Sequence, residues 1–327
     1  MSMEEINISS NRFFTTLENV KETLDKYGVA IIPNILDETE CNQMIDEMWN
    51  YLERISLNWE VPLKRDNTST WPEAWQLYLN YQHLALLVQF WYIGHCQMNW
   101  NVRQNPKVVQ VFSKIWNVDM EDLLVSFDGA SIQLPPEITG FGFGDDKRWF
   151  HSDQNLNDNY FKYVQSWVTA NDINVDDGTL AVLEGSHKYF SEFSEKFNVQ
   201  DGRLRFLTNE QLEFFYDRGC YEVKIACPKG SIVLWDGRTI HYGAEPISTR
   251  DKENIRCVSY VSYLPRYLAS EEELENKRKL FTEMYTTGHD AIKTKPSPKT
   301  QWVGVPDYDY KIDPPVLTTL GFKLAGF

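Results

Sequence analysis

Between residues 123 and 264 the chain breaks into short runs rich in β-branched and aromatic residues, at 124–134, 163–171, 180–183, 221–225, 231–235 and 256–264. Turn formers separate several of them, among them Asp176-Asp177-Gly178, Pro228-Lys229-Gly230 and Asp236-Gly237. A parallel sheet needs a long crossover between paired strands, usually a helix. Few helices interrupt these runs, so they predict an antiparallel barrel or jelly roll. The exception is 208–218, a predicted helix inside a long insert between strands.

The first 120 residues predict a helical layer in front of this β region. Asp37 and Glu40 form a D-x-x-E capping pair ahead of Cys41, Met44, Ile45, Met48, Trp49, Leu52 and Ile55, which share one helical face. A second helix is expected after Asn105, with Pro106 at its first position and Val108, Val109, Phe112 and Ile115 at helical spacing. The aromatics crowded between 71 and 100 (Trp71, Trp75, Tyr78, Tyr81, Phe90, Trp91, Tyr92, Trp100) read first as core and second as a ligand cage. The expected organisation is a single domain over 1–267, helical over 1–120 and β over 121–267. An extension, 268–327, follows, with a charged predicted helix at 270–285 and then scattered prolines. That extension can pack on the core or fold back as a lid.

A formal net charge of -15 repels phosphate backbones and anionic membrane surfaces, so neither nucleic acid nor membrane is an expected partner. The most apolar stretch, 84–93, contains Gln89 and is well short of the roughly 20 residues that span a bilayer. Five cysteines (Cys41, Cys96, Cys220, Cys227, Cys257) contain no CxxC pair and read as reduced, buried thiols. Residues 1–10 carry neither a positive leader nor an apolar stretch, so a cytoplasmic protein is expected.

The chemistry concentrates at Trp149-Phe150-His151-Ser152-Asp153. On a strand, an imidazole and a carboxylate two residues apart aim at one face. His241, just after the predicted strand 231–235, offers a second imidazole. Two histidines and one carboxylate occupy one face of an octahedral iron(II) and leave three positions for a bidentate oxo-acid and dioxygen. An anionic cosubstrate also needs a cation. Arg256, opening the run 256–264, can clamp a distal carboxylate, with Arg250 in the preceding turn as its rival.

With these pieces in place, residues 124–264 resemble the phytanoyl-CoA dioxygenase family of iron(II)/2-oxoglutarate oxygenases. The matching segments are 149–153, Trp167 with Asp172, 178–187, Gly230 to Trp235, His241 and Arg256, with 27–34 similar to the family's entry. The resemblance implies a double-stranded β-helix, a cupin-like jelly roll. It implies His151, Asp153 and His241 as iron ligands and Arg256 as the 2-oxoglutarate clamp, with Gln133, Trp167 and Thr169 lining the cosubstrate pocket. It also implies that His187 stabilises a loop rather than binding metal. Two positions depart from the family pattern: Gly243 stands where many members have a cosubstrate-contacting serine, and Glu184 where proline is usual before Gly-Ser-His.

The activity expected is hydroxylation of a small polar molecule using iron(II), 2-oxoglutarate and dioxygen, with succinate and carbon dioxide as co-products. Arg148, Gln154, Asn155 and Arg238 flank the ligands and are the candidate substrate contacts, which would favour a polar or carboxylate-bearing molecule over a long acyl-CoA. His83, His95 and His289 lack a partner at ligand spacing, and His83 and His95 read as structural. Two other classes of answer stay open: a β-helix module that binds a ligand without oxidising it, and an iron dioxygenase that needs no oxo-acid. Desaturation, epimerisation or ring closure on the same centre is equally compatible with these residues.

Overall fold

The computed structural model describes residues 10–78, 88–144, 148–199, 202, 204, 206–297 and 312–327. In chain order they form α1 (Val20–Tyr27), β1 (Val29–Ile32), α2 (Glu38–Ile55), α3 (Gln97–Arg103), α4 (Pro106–Trp116), β2 (Leu123–Val125), β3 (Ala130–Gln133) and α5 (Pro136–Thr139). Then come β4 (Val164–Thr169), β5 (Thr179–Leu183), α6 (Phe190–Phe197), α7 (Asn209–Tyr216), β6 (Glu222–Lys224), β7 (Ile232–Asp236) and β8 (His241–Ala244). The chain ends with β9 (Arg256–Val261), β10 (Tyr263–Pro265), α8 (Glu271–Thr282) and α9 (Thr319–Leu324). His83, Tyr81 and much of the proline-bearing tail lie outside the described residues.

The strands form a five-stranded sheet, β1-β7-β4-β9-β3, facing a three-stranded sheet, β6-β5-β8, with β10 and β2 paired separately. All these pairings are antiparallel. This is the cupin-like jelly roll, a double-stranded β-helix. Period-two alternation builds it: on β7, Val233 and Trp235 turn inward with Leu180 and Val182 of the small sheet. Ile232 and Leu234 turn outward onto the helical layer with Met44, Met48 and Val109. The small sheet's other face, Ala181, Leu183 and Tyr242, is covered by Phe190, Phe193, Phe214 and Phe215 of α6 and α7.

The helix boundaries follow their caps. Asp37 accepts from the Glu40 amide at 3.0 Å while Glu40 accepts from the Asp37 amide at 2.8 Å, a reciprocal pair of about 1 kcal/mol per cap. Asn105 caps α4 with Pro106 at its first position. Trp71, Tyr78, Phe90, Trp91 and Trp100 are buried in the main core, as the first reading of that aromatic crowd expected, although Trp75 is exposed. Among the described residues no helix is long and apolar enough to cross a membrane.

Three boundaries differ from the sequence reading. The run 124–134 is two strands in different sheets, broken over 126–129, where the chain must pass from the β2·β10 pair to the large sheet. The run 256–264 divides at Ser262 for the same reason. The insert carries a second helix, α6, whose phenylalanines pack on α7 at ring distances near 5 Å.

Gly28 ties the helical entry to the site. It ends α1 at φ 77°, and its carbonyl accepts from Asp236 N at 3.0 Å and Thr239 Oγ1 at 2.9 Å. A Cβ there would stand 2.5 Å from His187 Nδ1, in a ring held by Asp25 O at 3.1 Å. That contact is the loop-stabilising role expected of His187. Gly28→Ala should therefore lower stability by at least about 1–2 kcal/mol, the cost of the left-handed backbone alone, read as a lower urea midpoint. The neighbouring Glu184 accepts from Arg12 Nε at 2.9 Å, so the carboxylate in place of proline is held by an ion pair.

The extension docks on the core. Thr287 N donates to Phe127 O at 2.8 Å, Gly94 N to Thr286 Oγ1 at 3.0 Å, and the buried Lys277 Nζ to the carbonyls of Val125 and Ala291. The buried His95 is structural, with Nε2 bonded to Tyr285 O at 3.0 Å.

Candidate active site

Two backbone hydrogen bonds of 3.0 Å join His151 to His241 as a lone bridge at the mouth of the jelly roll. The H-x-D segment is thus a bridge followed by a bend rather than a regular strand, and it still turns both side chains to one point. Ligand atoms of His151, Asp153 and His241 all lie within 4.8 Å of one another. His151 Nε2 stands 3.5 Å from Asp153 Oδ1, and His241 Nε2 stands 3.2 Å from Asp153 Oδ2.

Each imidazole has its other nitrogen engaged. His151 Nδ1 meets Trp149 O at 3.2 Å and His241 Nδ1 meets Thr239 O at 2.9 Å. An Nδ1–H donated to a carbonyl leaves the Nε2 lone pair facing the cluster, the tautomer a metal requires. Trp149 stacks on the His151 ring at 4.6 Å and 7° and so fixes its plane. Gln165 Nε2 donates to Asp153 Oδ2 at 2.6 Å.

The electrostatics agree. Burial alone would raise the Asp153 carboxyl, but His289, His151 and His241 around it hold it well below the usual range. Burial, and then the neighbouring His151, push His241 down toward the neutral form. Burial also works to lower His151, yet the adjacent Asp153 raises it overall. An anionic carboxylate between two imidazoles is a donor set that fits iron(II).

The cluster opens into a cavity of about 220 Å³, below the 300–1,000 Å³ usual for drug-sized ligands. Gln165 and Trp167 share one face of β4, and both line this cavity, so they stand about 7 Å apart along the strand. The Arg256 guanidinium lies 5.4 Å from the Trp167 ring. Arg256 is buried, donates from Nε to Ser131 Oγ at 2.7 Å and from Nη1 to Gly178 O, and lines the same cavity. Burial pushes its pKa down, but a guanidinium stays protonated. The indole nitrogens of Trp167 and Trp235, residues that line the cavity, are buried donors without an acceptor among the described residues.

Other residues singled out from the sequence are placed elsewhere. Gln133 pairs with Arg256 across β3 and β9 but donates to Gly142 O, and Thr169 turns its hydroxyl to Asn171 O. Neither lines the cavity. Arg250 is engaged by Glu137 and Asp177. Of the candidate substrate contacts, Arg148 is exposed and pairs with Glu222, and Arg238 is held bidentately by Asp236. Gln154 is buried against Tyr160 O, and Asn155 caps its own turn at Asn157 N. None of the four reaches the cavity, because local partners satisfy them first. Gly243, which stands where many family members have a serine, does line it.

Sequence reasoning missed Gln165, Asp128 and His289, all on the cavity wall. Gln165 shares the strand face of Trp167, a period-two signal that was legible. Asp128 was detectable as a charge inside an apolar run. His289 carried no signal, since only the folded extension brings it here. Gln165→Met, unbranched and of similar length, removes the donor to Asp153 and should weaken iron(II) binding about 10–100-fold, measured by metal titration.

This is a double-stranded β-helix carrying the donor set of a non-haem iron oxygenase. The profile of the phytanoyl-CoA dioxygenase (PhyH) family matches residues 24–253, and the chain belongs to that family. It is similar to Ava biosynthesis cluster protein O of Aspergillus versicolor, 26% identical over 295 residues, 84% of this chain and 88% of that one. Its fold is similar to that of a putative oxidoreductase from Salmonella typhimurium LT2 (TM-score 0.57, 13% identity, 98% of this chain and 83% of that one). It is also similar to that of a hypothetical protein, JW0805, from Escherichia coli (TM-score 0.58, 13% identity, 98% and 82%). At that identity the two structures speak for the fold alone.

Proposed function

We propose that this protein is an iron(II)- and 2-oxoglutarate-dependent oxygenase that hydroxylates a small organic molecule. His151, Asp153 and His241 would hold the metal and Arg256 the distal carboxylate of 2-oxoglutarate. The observation that carries this reading is the convergence of two Nε2 atoms and a carboxylate, with both Nδ1 atoms tied to carbonyls, in one cavity with a buried arginine. When bound, iron(II) and 2-oxoglutarate supply the activation of dioxygen and the oxidation of a C–H bond, releasing succinate and carbon dioxide.

The chain's own residues do the rest. Trp149 and Gln165 orient the ligands, Ser131 and Gly178 orient the clamp, and the aromatic walls exclude water. The size of the cavity supports a small substrate over an enclosed acyl-CoA. Five free, buried thiols support a reducing compartment, the cytoplasm. The test is succinate formation from 2-oxoglutarate in air, which should require added iron(II). Oxygen consumption without any dependence on 2-oxoglutarate would contradict the reading.

A further inference from the structure

The cosubstrate reading uses one end of the cavity and leaves charged groups at the other unemployed. Along β3, Gln133 is paired with Arg256, whereas Asp128 precedes the opposite end of that strand. Asp128 is buried, with Oδ1 accepting from Gly129 N at 2.7 Å. Its Oδ2 makes no hydrogen bond among the described residues and faces His289 Nδ1 at 3.8 Å. His289 Nε2 in turn stands 3.9 Å from Asp153 Oδ1. Both gaps exceed a hydrogen bond, so this imidazole hangs between two carboxylates, beside the Tyr163 ring, bonded to neither. Among the described residues lining the cavity, Arg256 is the one arginine or lysine, and Asp128 the one acid besides Asp153.

We propose that Asp128 and His289 form the substrate's polar anchor: a hydroxyl or amino group on an otherwise apolar small molecule approaches the pair from the cavity and donates to Asp128 Oδ2. Asp128 lines the cavity, where a ligand's donor can reach this oxygen, and the 3.8 Å separation lets one polar group lying beside the pair, on the cavity side, come within hydrogen-bond distance of both. An anionic substrate is disfavoured, because it would face the Asp128 carboxylate while the one arginine among the described lining residues is committed to the cosubstrate. This reading keeps the polar and sets aside the carboxylate-bearing part of the substrate expected from Arg148, Gln154, Asn155 and Arg238, since both arginines are paired elsewhere. His289 comes from the extension, beyond the residues 24–253 that match the family, whereas Asp128 lies within them. The proposal takes the turnover that follows binding from the oxygenase reading, but the binding itself can be tested apart from it.

The test is anaerobic isothermal titration calorimetry of protein loaded with iron(II) and 2-oxoglutarate, repeated on metal-free protein. The probes are 2-phenylethanol, 2-phenylethylamine, (2-methoxyethyl)benzene and phenylacetate. The alcohol and the amine should bind at least tenfold tighter than the ether, which lacks the donor, and than the carboxylate. Asp128→Asn keeps the shape but removes the charge, and His289→Ala removes a partly exposed ring. Either should bring the alcohol and the amine to within about threefold of the ether. Equal binding of all four probes, no binding of any, or an unchanged preference in both variants would overturn the anchor. A preference that persists in wild-type protein unable to form the iron–oxo-acid chelate would retain the anchor and sink the oxygenase reading. A normal chelate without any preference would do the reverse.

Discussion

Asp153→Ala abolishes 2-oxoglutarate turnover and weakens iron(II) binding by more than about 100-fold, the upper range for losing even an outer-sphere partner of a metal site. Among the described residues the carboxylate is the one anion within ligand distance of both Nε2 atoms, so its removal leaves two neutral imidazoles to hold a dication. Gln165 cannot compensate, because its Nε2 is a donor aimed at the missing oxygen. Metal titration monitored anaerobically reads the loss, and circular dichroism shows whether the fold is kept. An alanine variant that binds iron(II) as tightly as wild type would show that the ion sits elsewhere.

The second large effect is at Arg256. Two of its donors are spent on Ser131 and Gly178, which fix the guanidinium over Trp167, and the Tyr260 side chain also engages it, on the wall of the same cavity. Arg256→Met should weaken 2-oxoglutarate binding by about 2–5 kcal/mol, the usual cost of truncating one partner of a buried, hydrogen-bonded charge pair. That corresponds to a loss of roughly 30-fold to several thousandfold. Iron(II) affinity measured without the cosubstrate should change little. The measurement is the 2-oxoglutarate Kd of iron-loaded protein under argon, and an unchanged Kd would assign the clamp to another residue.

Much of this architecture could be read from residue order because it depends on local signals. Asp37 with Glu40 and Asn105 with Pro106 mark helix starts through their own capping bonds. The alternation on β7 shows which residues face each layer. The histidine–aspartate pair was legible because its two residues are close in sequence, and His241 because it follows a strand and a turn. The errors arose where long-range geometry decides. Arg148 and Arg238 sit beside the ligands in sequence, yet each finds a nearer carboxylate, Glu222 or Asp236, and turns away. Thr169 shares the face of Trp167, but its position at the strand end lets Asn171 O capture the hydroxyl. His289 reaches the site through the docking of Thr286 and Thr287 on the core, a contact between segments more than 150 residues apart.

The most direct measurement is an anaerobic titration of the metal-free protein with iron(II) and 2-oxoglutarate, following the visible charge-transfer absorption of the chelate. The account predicts a band that saturates at one iron and one 2-oxoglutarate per chain and is absent from His151→Ala. Absence of both the band and specific iron(II) binding in wild-type protein would contradict it and leave a ligand-binding β-helix in place of an oxygenase.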